Sequence, residues 1–178
     1  IMRQLALVYP DDRSATGREE EFMFGDDLLV APVLQPGATK RRLYLPRGRW
    51  VDFWKAVSYH PDEGGSFALG DAETMRGGKS RVVAAPLDQV PLMARAGTLL
   101  PLLPHDVETL APYAAKDHVG LDDARGKLHV IAMPRGCSSA GFGERGKLVS
   151  REGPGIWTLR VDPGSGRGTK LDLEASTR

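Results

Sequence analysis

The chain has 178 residues, enough to bury a core in one ordinary domain or in two small ones. It carries 24 Lys+Arg against 23 Asp+Glu, and a net charge of +1 leaves no electrostatic footprint for nucleic acid or an anionic membrane surface. A hydrophobic share of 41% argues against a disordered chain, no apolar run approaches the roughly 18 residues of a transmembrane helix, and the single Cys137 excludes an internal disulfide or a cysteine-built zinc site. The first residues lack a basic segment followed by an apolar stretch. With one cysteine, this predicts a cytoplasmic location.

Gly (21) and Pro (13) are spread along the whole chain. Punctuation that frequent limits helices to short pieces and favours short strands joined by turns. Met2–Tyr9 reads as a nearly continuous apolar strand, the pattern of a strand buried on both faces of a parallel sheet. Such a strand calls for neighbours in sequence, so the chain is expected to be a fragment. The strand is also expected to pair with an edge strand of its own or a neighbouring chain rather than stand alone. Pro10-Asp11-Asp12 ends it, and Arg13–Glu21 is a loop or short helix. Phe22–Leu34 holds the next strand, with a turn at Gly25-Asp26-Asp27 and an edge or bulge at Pro32. Gln35-Pro36-Gly37-Ala38 has the order of a type II turn.

Arg42–Pro46 alternates, with Leu43 and Leu45 on one face and Arg42 and Tyr44 on the other. After Pro46-Arg47-Gly48 comes Arg49–Lys55, with Trp50, Phe53 and Trp54, and the two segments read as a hairpin. Asp62–Lys79 is glycine-rich and polar, a long loop with a weak strand at Ser66–Leu69. Arg81–Ala85, Val90–Ala94 and Thr98–Leu103 are strands, and the polar stretch His105–Gly126 is the internal boundary. Leu128–Met133, Lys147–Ser150, Ile156–Asp162 and Thr169–Ala175 follow, with half-buried alternation. About ten strands and no long amphipathic helix predict an all-β fold of antiparallel sandwich type.

Adjacent acids at Asp11/Asp12, Asp26/Asp27, Asp122/Asp123 and Glu19-Glu20-Glu21 read as turn formers and solvated groups. Neighbours on a strand point to opposite faces, so adjacent acids do not converge on one site as a catalytic pair. His60, His105, His118 and His129 lack metal-ligand spacing, so neither a metal nor a cofactor is expected. Cys137 lacks a His–Asp pattern and reads as inert. Lys40-Arg41-Arg42 reads as a solvated strand edge that blocks edge-to-edge pairing. Trp50, Phe53, Trp54 and Tyr59 are core or interface aromatics first and sugar platforms second.

Three segments stand together in order. They are Glu21-Phe22-Met23-Phe24-Gly25-Asp26-Asp27-Leu28-Leu29-Val30-Ala31-Pro32-Val33, then Leu45-Pro46-Arg47-Gly48-Arg49-Trp50-Val51-Asp52-Phe53-Trp54, then Ala85–Pro101 with Pro91-Leu92-Met93-Ala94-Arg95-Ala96-Gly97 inside it. Over Met2–Pro104 the chain resembles the region after the catalytic barrel of glycoside hydrolase family 31, the α-glucosidase and α-xylosidase family. The resemblance implies a remnant of the last barrel strand and its loop at residues 1–22, a proximal β-sandwich at 23–104 and a second, distal-like β unit at 105–178. Arg3-Gln4-Leu5 stands where the family usually has Arg-Pro-Leu. The family's aspartate nucleophile and acid/base lie on earlier barrel strands, so no residue here inherits a catalytic role. Phe142-Gly143-Glu144-Arg145-Gly146 stands where relatives often carry Asp-Asp-Gly after an aromatic residue, and lacks those acids.

The implied function is that of a non-catalytic C-terminal portion of a retaining α-glycoside hydrolase, packing against the catalytic barrel and stabilising it. Trp50, Trp54, Asp11 and Asp12 are the residues expected at a barrel or sugar contact, the two aspartates because active sites lie at the C-terminal ends of barrel strands. The barrel is the expected partner. Two alternatives are a stand-alone carbohydrate-binding module, using Trp50, Trp54 or Trp157, and a structural domain that self-associates through the barrel-facing surface. Nucleic acid and membrane are not expected partners.

Overall fold

The computed structural model describes residues 1–60, 66–70, 73–110, 118–124, 126–164 and 170–175. Parts of the glycine-rich loop at 62–79 and of the polar stretch at 105–126 lie outside these residues, as does Thr169 at the head of the last predicted strand.

The chain divides into two compact units. The first comprises residues 1–56 and 71–96, the second 57–70 and 97–178. Sixteen strands and three four-residue helices make up the described elements. In the first unit these are β1 (Met2–Gln4), α1 (Leu5–Val8), α2 (Arg13–Thr16), β2 (Phe22–Phe24), β3 (Leu28–Val30), β4 (Lys40–Leu45), β5 (Arg49–Asp52) and α3 (Phe53–Ala56). In the second, β6 (Val57–His60) and β7 (Ser66–Leu69) follow. The chain returns to the first unit for β8 (Thr74–Arg76), β9 (Lys79–Ala84) and β10 (Leu92–Arg95). It ends in the second with β11 (Leu99–Leu102), β12 (Lys127–Ala132), β13 (Cys137–Phe142), β14 (Gly146–Gly153), β15 (Ile156–Asp162) and β16 (Lys170–Ala175).

The first unit is a sandwich of unequal layers. Its larger sheet runs β1-β2-β3-β10-β5-β8, and β4 pairs with β9 as a two-stranded ribbon. Met23, Leu29, Trp50 and Met93 from the sheet share one buried cluster with Leu43, Leu45 and Val83 from the ribbon. At roughly 1.5–3 kcal/mol for each large apolar side chain fully buried, this cluster is the principal source of the unit's stability. Arg42–Pro46 and Arg49–Lys55 therefore do not form the predicted hairpin. β4 pairs antiparallel with β9, while β5 lies between β10 and β8 in the other layer. Both segments have amphipathic strand patterns, but a local pattern does not name a pairing partner.

Met2–Tyr9 is strand only for its first residues. β1 pairs antiparallel with β2 (Arg3 opposite Met23), so the segment does pair within its own chain. Leu5–Val8 then closes into one helical turn, with the Tyr9 N–H donating to the Leu5 carbonyl at 2.8 Å. Leu5, Val8 and Tyr9 stand at i, i+3 and i+4 and join the core cluster, while Leu7 is 73% exposed. A continuous apolar run fits either element, and here the core takes the helical face. The Gly25 turn behaves as read: Gly25 has φ +64° and links β2 to β3 in register Phe22 to Val30. So does the Gln35–Ala38 turn, closed by Ala38 N–H to Gln35 O at 3.2 Å with Gly37 at φ +74°.

The second unit has a β11-β12-β16 sheet, in which β12 and β16 run parallel, a β13-β14-β15 meander and the β6–β7 pair. Leu99, Leu128, Val130, Ala132 and Leu148 form its buried cluster, with Phe142, Trp157, Leu159 and Val161 packed on it.

Candidate functional site

The groups of greatest chemical interest in the first unit gather where α1 and α2 meet the ribbon. Asp12 precedes α2 and accepts from the Ser14 N–H through Oδ1 at 3.0 Å. The Tyr44 phenol donates to the same carboxylate, at 2.8 Å to Oδ2 and 3.1 Å to Oδ1. Glu21, 2% exposed, accepts the Tyr44 backbone N–H through both oxygens at 2.9 and 3.0 Å. That amide lies on the edge of β4 that β9 does not cover, so the carboxylate replaces a strand partner there. The Arg18 guanidinium sits 5.6 Å from the Tyr44 ring centre and reaches Ser80 Oγ at 3.4 Å. Arg41 pairs with Glu20 at 2.8 Å. Reading Glu19-Glu20-Glu21 as three solvated acids is therefore wrong for Glu21.

A second tie joins Tyr9 to β10. Arg95 donates to the Tyr9 Oη at 2.6 Å, and its guanidinium lies 5.8 Å from both the Tyr9 and the Trp50 ring centres. Burial pushes the Tyr9 phenol above its ordinary value despite Arg95. Arg3 pairs with Asp26 at 2.5 Å across the β2–β3 turn.

Between these ties lies an open concavity of about 440 Å³ lined by Val8, Tyr9, Pro10, Asp11, Asp12, Arg13, Ser14 and Arg47. Asp11 is exposed there, and Asp12 is half-buried. Of the other residues expected at a contact, Trp50 is 0% exposed and donates from Nε1 to the Pro46 carbonyl at 2.8 Å. Trp54 is half-buried on α3, stacked edge-on with Phe53 and bonded to the Val90 carbonyl at 2.7 Å. The helical turn at Phe53–Ala56 breaks the period-two face that Trp50 and Trp54 would share on a strand. The Tyr59 side chain lies outside the described residues. Trp157, in the second unit, is half-buried and bonds Ser150 Oγ at 2.7 Å. That unit has its own concavity of about 670 Å³, whose lining includes Leu102, Lys127, Phe142, Glu144, Arg145 and Pro163. Among the described residues no group of three or more His, Cys, Asp or Glu is placed to hold a metal ion.

Three carboxylates titrate above the ordinary range, each chiefly because burial disfavours the charge: Glu21, Asp27 beside Arg95, and Asp52 near Lys55. Their folded pKa lies above the unfolded one, so folding takes up protons. Stability from these groups is then greatest below the unfolded carboxylate pKa and falls as pH rises through the raised values. Exposed Glu108, lowered first by the Val119 N–H and then by His118, acts oppositely, but in a window below the usual glutamate value. The expected result is a melting temperature that gains from these groups as pH is lowered from neutral into the ordinary carboxylate range, a rise relative to a chain without them. In Glu21→Gln that rise is smaller. An equal change in the parent chain and in Glu21→Gln over the same interval would contradict it.

The sequence profile of the glycosyl hydrolase family 31 C-terminal domain matches residues 1–100, more than half of the chain. The chain belongs to glycosyl hydrolase family 31. An isomaltosyltransferase of Sporosarcina globispora is 33% identical over 102 residues, which is 57% of this chain and 8% of that protein. An α-xylosidase of Saccharolobus solfataricus is 32% identical over 114 residues, 64% of this chain and 13% of that protein. Among solved structures, the cycloalternan-forming enzyme of Listeria monocytogenes, in complex with a pentasaccharide substrate, superimposes with a TM-score of 0.60 at 31% identity. That match covers 85% of this chain and 13% of the enzyme. The family 31 chain thus spans about a tenth of the length of such relatives. Its C-terminal-domain character is shared with glycosidases of the α-glucosidase and α-xylosidase kind.

Sequence reasoning singled out Asp11, Asp12, Trp50 and Trp54 in this family 31 domain but passed over Tyr44, Glu21 and Arg95. Tyr44 was assigned to the face opposite Leu43 and Leu45, yet all three are buried. The available signal was Tyr44 itself, a large ring with a polar tip between the apolar Leu43 and Leu45, which calls for a partner when buried.

Proposed function

We propose that the chain is the non-catalytic, post-barrel β-sandwich portion of a retaining α-glycosidase, and that it acts by packing against the catalytic barrel and holding the barrel's last strand and adjoining loops. The observation that carries this is the β1–β2 edge. Met2 and Phe24 are opposite each other in register and are 70% and 46% exposed. Ile1 and Leu7 are exposed beside them in sequence, and β1 is the outermost strand of its sheet. Apolar side chains at an unpaired sheet edge are costly in water and favour a covering partner. The relatives support the same reading, since in each the matching region is a small part of a much longer enzyme.

The chain alone, which spans about a tenth of the length of such enzymes, is expected to show no turnover of a nitrophenyl α-glucoside. Co-produced with the barrel-bearing remainder of the enzyme, it should raise the barrel's melting temperature, and Phe24→Asp should abolish that rise. Turnover by the isolated chain that survives repurification, or a barrel whose melting is indifferent to the chain, would overturn the proposal.

A further inference from the structure

The ladder fixes which way each residue of β4 faces. The carbonyls of Thr39 and Leu45 accept from the N–H groups of Ala85 and Gly78, at 2.9 and 2.7 Å, just beyond the two ends of β9. Odd-numbered positions of β4 therefore turn their backbone groups to β9, and Lys40, Arg42 and Tyr44 turn theirs outward. β4 and β9 form a two-stranded sheet, so no strand covers that outward edge. Lys40 and Arg42 are exposed and charged along its first half, whereas Tyr44, 5% exposed, brings no charge to the second. There the Glu21 carboxylate takes the amide through both oxygens, at 2.9 and 3.0 Å. Burial raises the Glu21 carboxyl above its ordinary value, against the Tyr44 N–H and the Arg18 and Arg41 charges that lower it, so the contact is held at a cost to the folded chain.

We propose that Glu21 is an edge guard: its carboxylate fills the place of an incoming strand's carbonyl at Tyr44, and so keeps β4 from pairing with β4 of a second copy of this chain. A bare strand edge is a template for another strand, and the amide most open to one is here already taken. A second copy is the occupant that fits. An antiparallel β4–β4 pair can set Arg42 of each copy opposite Tyr44 of the other, which satisfies both outward amides and keeps like charges from facing one another. The first unit treats two of its open edges in opposite ways. β1, outermost in the larger sheet, leaves Met2 and the paired Phe24 exposed, an apolar edge that a partner can cover. β4 is closed instead by two cations and a buried acid. The guard does not depend on the docking to a barrel proposed above.

The test compares the intact 178-residue chain with Glu21→Ala and Glu21→Gln, by sedimentation and amide hydrogen exchange, over about a hundredfold range of concentration. At the top of the range Glu21→Ala should sediment as a larger species than the parent. Its Arg42 and Tyr44 amides should exchange about tenfold more slowly there than at the bottom, while the Leu43 amide, which faces β9, does not change. Glu21→Gln keeps an acceptor oxygen for the Tyr44 amide and should sediment as the parent does. Trp54→Ala, compared at the same fraction unfolded in urea, controls for general exposure of the core and should not protect Arg42 and Tyr44. If Glu21→Ala does not fold, Glu21→Asp withdraws the carboxylate by one methylene and takes its place. Sedimentation and exchange of the Glu21 variant equal to the parent's at every concentration would overturn the proposal. So would association that leaves the Arg42 and Tyr44 amides unprotected, the result expected of copies meeting through the β1–β2 edge. Equal association by Trp54→Ala would overturn it too.

Discussion

Replacing Trp50 by Ala is expected to cost the first unit about 3–5 kcal/mol, the range for emptying a fully buried large aromatic site. Three features place it towards the upper end. The ring is completely enclosed among Leu29, Met93 and the ribbon residues Leu43 and Leu45. Its Nε1–H donates to the Pro46 carbonyl, which would lose that partner. Its face is shared with the Arg95 guanidinium, which also ties Tyr9 to β10. A cavity here therefore loosens both the sheet–ribbon packing and the attachment of α1. Trp54→Ala should cost about half as much or less, because that ring is only half-buried and bonds one carbonyl at the surface. Urea unfolding followed by far-ultraviolet circular dichroism measures both. A Trp50→Ala loss below about 1 kcal/mol would show that the ring is not the keystone its burial implies.

The contrast between the two tryptophans shows what the sequence could and could not reveal. Strand β15 was legible to the residue, because Trp157, Leu159 and Val161 alternate with polar neighbours between two turns. β12 and the β2–β3 turn were legible for similar local reasons. Strand β13 was not, since Cys137-Ser138-Ser139-Ala140-Gly141 has small residues on both faces and no apolar alternation. It is a strand because β14 offers a partner in register, Ala140 opposite Leu148. β8 likewise hides in the glycine-rich loop, yet it completes the sheet beside β5. The missed hairpin has the same cause. β4 could have paired with its neighbour in sequence, but the core needs Leu43 and Leu45 facing Trp50 from the opposite layer. The Tyr44–Glu21 bond joins residues 23 apart through a backbone amide, which no side-chain pattern encodes. Acidity alone suggested solvent, whereas an uncovered strand edge drew one acid of the three inside.

That packing constraint leads to the second large effect, at a glycine that composition marks only as a loop residue. A Cβ on Gly77 would stand 1.9 Å from the Pro46 carbonyl oxygen and 3.0 Å from Trp50 Nε1. The obstacle is backbone, so no side chain can swing away. The turn it strikes is also fixed from both sides, by Gly77 N–H to Gly48 O at 2.9 Å and Gly78 N–H to Leu45 O at 2.7 Å. Gly77→Ala must shift the Pro46–Gly48 turn and break its bonds, at about 2–4 kcal/mol from overpacking and a lost hydrogen bond. Two other glycines separate this cause from the general cost of adding a methyl. Gly17, at the end of α2, has φ −90° and nothing within 4 Å of an added Cβ, so Gly17→Ala should be nearly neutral. Gly37 also has open space but φ +74°, so Gly37→Ala should cost only about 1 kcal/mol, from the left-handed backbone. Because the Pro46 carbonyl is held partly by Trp50, the clash is coupled to the ring. In a Trp50→Ala background that carbonyl is free to turn away, and adding Gly77→Ala should cost less than it does in the parent chain. Strict additivity of the two substitutions would place the clash elsewhere than at the carbonyl shared by Trp50 and Gly77.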